Sequence, residues 1–179
     1  MGNNIVILSG SPRKDGNTDK LVAAFIEGAE SAGKSVALFR VADMKINACI
    51  GCRHCFEEKG ACIQKDDMAI ILDAIRKADT LVFASPIYYF TITAQLKLAI
   101  DRTYPLLGEG IHSIKQAALL TTYGGGVNAT EGAEVMFKNI CFHQKWDNAG
   151  SVSVGGLRDK HEIAEREELE QARALGRKI

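Results

Sequence analysis

A loop rich in hydroxyl and basic side chains follows the first apolar run of the chain. Ile5–Leu8 is continuously apolar, and residues 9–18 are SGSPRKDGNT, with a helix predicted to begin at Asn17 or Thr18. The first backbone N–H groups of a helix lack partners within the helix and carry a positive partial charge, so this loop is suited to a terminal phosphate monoester. The candidate ligands are Ser9, Ser11, Arg13, Asn17 and Thr18.

The spacing in this loop excludes two known phosphate-binding motifs. A Walker A loop needs a Lys after its last Gly, but Asn17 follows Gly16, and the pattern G-x-G-x-x-G does not occur in the loop. The alternative to a phosphate site is an ordinary polar turn between a strand and a helix that Asn17 caps. The sequence leaves that alternative open.

Two further loops carry residues suited to a flat, conjugated ligand. Residues 85–90 are SPIYYF, and aromatic rings stack on such a ligand. Residues 122–126 are TYGGG, and glycines let a ligand approach the backbone closely. The alternatives are core packing for the tyrosines and a flexible loop for the glycines. The candidate residues are Pro86, Ile87, Tyr88, Tyr89, Thr122, Tyr123, Gly124 and Gly125.

Four cysteines occur within one short segment, with the spacing Cys49-x2-Cys52-x2-Cys55-x6-Cys62. The spacing is similar to that of ferredoxin iron–sulfur ligands, but the last gap is longer and no Pro follows the fourth cysteine. Zinc sites usually pair two C-x2-C units across a longer separation. An iron–sulfur cluster and metal-free thiols therefore both remain open. Cys141 lies on the apolar face of a predicted helix, which indicates a buried thiol.

Length, charge and cysteine content limit the class of protein. The 179 residues fit a single domain, residues 1–179, and 22 basic residues balance 22 acidic ones, so we expect no nucleic-acid partner. No apolar run is long enough to cross a membrane, and the first strand begins too early for a signal peptide, which predicts a cytoplasmic chain with no membrane partner. Five cysteines in such a chain indicate reduced thiols, metal or redox chemistry.

Apolar runs that predict strands alternate with helical patterns, which indicates an α/β fold with a parallel sheet and right-handed crossovers. Ligands of such sheets bind beyond the carboxyl ends of the strands, where the three loops above are expected to meet. The predicted strands are Ile5–Leu8, Val36–Val41, Thr80–Ser85, Ala117–Thr122 and Ser151–Val154, and the helical patterns run through Leu21–Ala29, Met68–Ile75, Ala94–Ile100, Ala133–Cys141 and Glu162–Arg177.

In these motifs the chain resembles the flavodoxin-like NAD(P)H-dependent FMN reductases. The matching residues are GSPR at 10–13, GNT at 16–18, SPIY at 85–88, LK at 96–97, DR at 101–102 and YGG at 123–125. The resemblance implies a three-layer sandwich with a five-stranded parallel sheet in the order 2-1-3-4-5. It also implies bound FMN, with its phosphate in the first loop and its ring between the other two, NAD(P)H as electron donor, and a homodimer or homotetramer in which a neighbouring subunit covers part of the flavin.

The cysteine segment is similar to the compact motif of the iron–sulfur flavoproteins, a branch of the same family. That resemblance implies a [4Fe–4S] cluster on Cys49, Cys52, Cys55 and Cys62, close to the flavin. Plain flavin reductases that resemble this chain also carry such cysteines, so the cluster stays one of two alternatives.

Two redox functions follow from the resemblance. In the first, a nicotinamide reduces bound FMN, which then reduces a quinone, a flavin or a similar acceptor; the cofactor carries the chemistry, so no catalytic acid or base is assigned. In the second, the protein is an electron carrier whose cluster exchanges electrons with ferredoxin-like partners. A nucleotide-binding module without redox activity is a third class, and the aromatic residues argue against it.

Overall fold

The computed structural model describes residues 4–109, 113–126 and 128–179, and its centre is a parallel sheet. The parallel strands are β1 (Asn4–Ser9), β2 (Ser35–Arg40), β3 (Thr80–Tyr88), β5 (Gln116–Thr122) and β6 (Asp147–Val154), and a short strand β4 (Thr91–Ile92) pairs antiparallel with β3. The parallel strands lie in the order β2-β1-β3-β5-β6. Counted among parallel strands alone, this is the order 2-1-3-4-5, so the predicted fold class is confirmed.

The three central strands are apolar because helices cover both of their faces. β1, β3 and β5 are buried almost throughout, whereas the edge strand β2 is mostly exposed or half-buried. Pairings near the carboxyl edge join Ser9 to Ala84, Ser85 to Thr121, and Thr122 to Val154. This register brings the ends of four neighbouring strands to one edge of the sheet.

Helices form a layer on each face of the sheet. One apolar cluster joins α1 and α7 to the sheet, and the other joins α3, α4 and α6 to its opposite face. α1 and α7 pack so closely that a Cβ atom at Gly28 or Gly176 would overlap the backbone of the facing helix, so glycine at these two positions allows the contact. The helices are α1 (Asn17–Ser31), α2 (His54–Glu57), α3 (Met68–Ile75), α4 (Ala94–Asp101), α5 (Tyr104–Glu109), α6 (Glu131–Gln144) and α7 (Glu168–Lys178).

The structure differs from the predicted elements in several places. β3 continues to Tyr88 and turns into β4, so the aromatic loop is a hairpin in which Tyr89 and Phe90 have φ angles of 47° and 67°. The last helix begins at Glu168 instead of Glu162, because the chain first crosses the carboxyl edge of the sheet as a loop. The short helices α2 and α5 were not predicted. None of the helices in the described ranges is long and apolar enough to cross a bilayer.

Candidate functional site

The three predicted loops meet at the carboxyl edge of the sheet and enclose a cavity of about 320 Å³. Ligand pockets of roughly 300–1,000 Å³ are typical for small molecules, so the cavity lies at the lower end of that range. Its lining residues are Ser11, Arg13, Gly16, Asn17, Thr18, Pro86, Ile87, Tyr88, Thr122, Tyr123, Gly124, Leu157 and Arg158.

Three of the predicted cofactor residues do not line this cavity. The hydroxyl of Ser9 is buried, and no partner for it exists in the part of the chain that the structure describes. Tyr89 is 98% exposed at the tip of the hairpin, since its left-handed backbone turns it away from β3. Gly125 lies beyond the glycine that reaches the cavity. The other predicted cofactor residues are brought together there.

Helix α1 begins in the cavity without a side-chain cap. Its N-cap residue is Gly16, and the first amide bonded within the helix is that of Lys20, which donates to the Gly16 carbonyl at 3.1 Å. The alternative of a turn capped by Asn17 is therefore wrong. The Asn17 amide nitrogen instead donates to the Asp159 carbonyl at 2.7 Å, and its oxygen accepts from the backbone N–H of Ile163 at 3.4 Å. The backbone N–H groups of the first turn of a helix have no partners within the helix, so the start of α1 suits an anion.

Arg40, at the end of β2, supports the loop before α1. Its guanidinium donates to the carbonyls of Ser11 and Arg13 at 3.4 and 3.5 Å. The same side chain pairs with Asp19 of α1 and with Asp43, the latter at 3.0 Å. β2 lies beside β1 in the sheet, so Arg40 reaches the loop from the neighbouring strand. Arg40 was not predicted as a site residue, because nothing in its local sequence pattern marks it.

A hydroxyl pair joins the first loop to the third. The Oγ1 atoms of Thr18 and Thr122 lie 2.7 Å apart, and both residues are buried. Thr18 stands in the first turn of α1, and Thr122 ends β5. Each hydroxyl has one proton and two lone pairs, so one of the two can donate to its neighbour while the other donates to a ligand.

Thr93 ties the first loop to the second. Its hydroxyl donates to the Gly10 carbonyl at 2.8 Å, and its backbone N–H donates to the Ser85 hydroxyl at 2.9 Å. A Cβ atom at position 10 would lie 2.5 Å from the Thr93 hydroxyl oxygen, so only glycine allows this approach. The loops after β1 and β3 are therefore held in one relative position, with Tyr88 half-exposed at the cavity wall.

Residues 157–163, which we call the strap, complete the cavity wall. The carbonyl of Tyr123 accepts from the backbone N–H of Leu157 at 3.0 Å, and Arg13 donates to the Arg158 carbonyl at 3.4 Å. Glu162 accepts from the backbone N–H groups of Asp159 and Arg158, which holds the pKa of its carboxyl below the usual value. Leu157 and Arg158 were missed, because the strap lies far along the chain and carries no motif.

The four cysteines of the predicted metal segment line a second, small cavity of about 30 Å³. Burial raises the pKa of the Cys55 thiol, and the nearby Cys62, Cys49 and Cys52 raise it further. All four are free thiols. Nowhere in the described residues do three Cys, His, Asp or Glu side chains take up the arrangement of a metal site. The structure thus gathers the cysteines around one cavity without joining them at one point.

A buried ion pair borders this second cavity. Arg102, just after α4, donates to both carboxylate oxygens of Asp66 at 2.7 and 2.9 Å, and both side chains are almost fully buried. Arg102 also donates to the Asn47 carbonyl at 2.8 Å and to the sulfur of Cys62 at 3.5 Å. Arg102 belongs to the family motif DR at 101–102, to which no role was assigned from the sequence, and nothing in the local pattern indicates that Asp66 pairs with it.

Comparison with known proteins identifies two iron–sulfur flavoproteins as relatives of this chain. An iron–sulfur flavoprotein of Archaeoglobus fulgidus is 34% identical over 173 residues, which are 95% of this chain and 76% of that relative. An iron–sulfur flavoprotein of Methanocaldococcus jannaschii is 39% identical over 102 residues, which are 57% of this chain and 52% of that relative. The match thus covers about half of the second relative.

The solved structure of an NAD(P)H:quinone oxidoreductase from Methanothermobacter marburgensis has the same fold. Its TM-score is 0.80 at 20% identity, over 99% of this chain and 96% of that one. Identity this low shows the fold alone. The model of one family, the NADPH-dependent FMN reductases, matches residues 3–156. The chain therefore belongs to the NADPH-dependent FMN reductase family, within the branch of the iron–sulfur flavoproteins.

Proposed function

We propose that this chain is an FMN-dependent oxidoreductase that takes electrons from NAD(P)H and passes them to a quinone, a flavin or a similar small acceptor. The observation that carries this proposal is the cavity at the sheet edge, which combines anion donors with aromatic side chains. The hydroxyls of Ser11, Thr18 and Thr122 and the uncapped start of α1 suit a phosphate. The rings of Tyr88 and Tyr123 suit a conjugated ring system.

The proposed division of work leaves the electron chemistry to the cofactor. Bound FMN would accept a hydride and release electrons, and the protein would bind it, orient it and tune its charge. Arg13 lines the cavity and adds positive charge that favours the phosphate dianion. Gly124 lines the opposite loop, where a backbone donor would stabilise negative charge on the reduced ring. No side chain is assigned as a catalytic acid or base.

Flavin titration and steady-state oxidation test this proposal together. We expect flavin-free protein to bind one FMN per chain more tightly than riboflavin, because riboflavin lacks the phosphate. The loaded protein should oxidise NADH or NADPH when a soluble benzoquinone or free FMN is present. Equal affinity for FMN and riboflavin would contradict the phosphate site. Stoichiometric FMN without nicotinamide oxidation would contradict the reductase reaction while leaving the flavin site in place.

The cysteine segment favours a second candidate function, that of an electron carrier with a [4Fe–4S] cluster. The chemistry of the donor set fits such a group, because four thiols line one small cavity and a buried guanidinium donates to one of them. Cys49, Cys52, Cys55 and Cys62 would supply the ligands, and the cluster would transfer single electrons. The Nε atom of Arg102 has no hydrogen-bond partner in the described ranges, which is consistent with a further acceptor at this place.

Anaerobic reconstitution with iron and sulfide tests the second candidate. We expect about four iron and four sulfide per chain, as a [4Fe–4S] cluster requires. Cys52→Ala should reduce both counts sharply, and Cys141→Ala should leave them unchanged, because Cys141 is buried in the core away from the segment. Counts well below four in the unaltered protein, or counts that survive Cys52→Ala, would leave a plain flavin reductase.

A further inference from the structure

We propose that Arg102 is a positioning residue of the iron–sulfur group, and that its hydrogen bond to the Cys62 sulfur raises the reduction potential of that group. This inference rests on the cluster proposed above for the cysteine segment. It assigns a function to a side chain that is neither a metal ligand nor part of the flavin cavity.

The contacts of Arg102 reach both the core and the cysteine segment. Its side chain is 2% exposed, and that of Asp66 is 1% exposed. One face of the guanidinium fork meets the Asp66 carboxylate, and Nη1 also donates to the Asn47 carbonyl, at the start of the cysteine-bearing loop. Nη2 donates to the Cys62 sulfur at 3.5 Å. Arg102 therefore fixes both ends of the loop that carries the cysteines.

A purely structural ion pair does not explain this arrangement. Buried ion pairs often contribute no more stability than apolar residues of the same size. Here the pair is kept beside a thiol cavity, and Nε of Arg102 is left without a hydrogen-bond partner among the described residues. Buried polar groups normally have partners, so the free donor indicates that a further acceptor belongs beside it. A thiolate-ligated, negatively charged group would be that acceptor.

The physical effect on the potential follows from charge. Reduction by one electron adds one negative charge to the group, and the electron comes from the external reductant of a titration. Hydrogen bonds to the cysteine sulfurs stabilise the more negative state and therefore raise the potential. The Asp66 carboxylate acts in the opposite direction, because its negative charge offsets the guanidinium. The two members of the ion pair should thus shift the potential with opposite signs.

Four variants separate this effect from a loss of structure. The double variant Arg102→Met with Asp66→Asn removes the hydrogen bond to Cys62 without leaving an unpaired buried charge. Asp66→Asn alone keeps the guanidinium and removes its counter-charge. Arg102→Lys keeps the charge but not the planar fork. Arg173→Met removes one surface cation from α7 as the matched control, since Arg173 pairs with the exposed carboxylates of Glu27 and Glu170.

Each protein is reconstituted anaerobically and assayed for iron, sulfide and unfolding temperature. It is then titrated with dithionite, and the amount of paramagnetic reduced cluster is measured at each potential. We expect the double variant to lower the equilibrium constant for one-electron reduction, because the two charges of the pair cancel and the lost hydrogen bond to Cys62 remains as the net effect. A tenfold decrease in that constant is a shift of about 59 mV. Asp66→Asn should shift it upward, Arg102→Lys should lower it less than the double variant does, and Arg173→Met should leave it unchanged.

The outcomes distinguish this inference from the cluster proposal on which it rests. A reconstituted unaltered protein without iron and sulfide overturns both. If the unaltered protein holds the cluster, and the double variant and Asp66→Asn both have the same potential as the unaltered protein, only the role of Arg102 is overturned. A double variant that stays folded and loses its cluster supports the positioning role. If the double variant does not fold, Arg102→Lys decides: a potential below that of the unaltered protein supports the inference, and an unchanged potential overturns it.

Discussion

The hydroxyl oxygens of Thr18 and Thr122 lie 2.7 Å apart and join the first turn of α1 to the end of β5. Both side chains line the cavity at the sheet edge, so the contact links two of the three loops that would surround the flavin. If Thr122 donates to Thr18, the proton of the Thr18 hydroxyl is left for a phosphate oxygen. The pair therefore presets one donor before a ligand arrives.

Replacing Thr18 with Ala should weaken FMN binding about tenfold or more. The change removes one charge-assisted hydrogen bond, which typically contributes about 1.5–3 kcal/mol, and each 1.4 kcal/mol is about a tenfold change in affinity. Fluorescence titration of the flavin-free protein measures the effect. Thr18→Ser keeps the hydroxyl and should retain most of the affinity, and riboflavin should bind equally to all three proteins. Unaltered FMN affinity in a folded Thr18→Ala protein would remove Thr18 from the phosphate site.

Replacing Tyr88 with Ala should change the absorption bands of bound flavin and increase its fluorescence. Tyr88 lines the cavity and is 44% exposed, so its ring is placed to border a conjugated ligand. Tyr89→Ala is the matched control, because the neighbouring ring is 98% exposed and does not line the cavity. If both variants keep the spectrum and flavin content of the unaltered protein, Tyr88 serves only packing or an interface.

Replacing Asn17 with Ala should loosen the strap. The Asn17 side chain makes hydrogen bonds to the backbone of Asp159 and Ile163, and each such bond contributes about 1 kcal/mol. The two bonds together contribute about 2 kcal/mol, so hydrogen exchange of residues 157–163 should become roughly thirtyfold faster, and FMN affinity should fall as Leu157 and Arg158 lose their positions. Thr18→Ala should leave exchange in the strap unchanged. Equal protection of the strap in Asn17→Ala and in the unaltered protein would show that these hydrogen bonds do not hold the strap in place.

The sheet could be predicted because each central strand is buried on both faces and therefore has a continuous apolar sequence. The carboxyl ends of parallel strands meet at one edge, so the loops after β1, β3 and β5 could be placed together without a structure. The loop residues that line the cavity are mostly those whose hydroxyl, aromatic or glycine chemistry was visible locally. Local chemistry also explains why a cap by Asn17 stayed open as the alternative, because Asn is a good helix-capping residue, whereas the N-cap position is occupied by Gly16.

The missed residues act through contacts that span long stretches of chain. Arg158 reaches Arg13 across 145 residues, and Arg102 reaches Asp66 across 36. Arg40 supports the first loop only because β2 lies next to β1. No spacing rule along the sequence marks such partners, since the pairing depends on how the elements pack. Tyr89 is the opposite case: its ring is chemically suited to a flavin site, but its left-handed backbone directs the side chain away from the cavity.

Opposing effects in the folded protein set the pKa of the Asp66 carboxyl. Burial alone would raise its pKa, but hydrogen bonds from Arg102 and from the backbone N–H groups of Asn47 and Met68 outweigh that effect and hold the pKa below its ordinary value. The unfolded chain has the ordinary value, about 3.9. The folded state therefore binds this proton less readily than the unfolded state. The stability that the pair contributes is complete above about pH 4 and is lost as the pH falls toward the lower folded pKa.

Asp66→Asn should destabilise the iron-free protein at pH 7 by about 3 kcal/mol, because it leaves the Arg102 guanidinium buried without its counter-charge. The difference from the unaltered protein should shrink as the pH falls from about 4 toward 2, since protonation of Asp66 then removes the same charge from the unaltered chain. Urea unfolding at a series of pH values measures both quantities. Asp101→Asn is the control, because Asp101 pairs with Lys97 where both side chains are substantially exposed and should change stability by less than about 1 kcal/mol. A stability difference that stays constant from pH 7 to pH 2 would mean that the carboxylate charge of Asp66 is not what holds Arg102 in place.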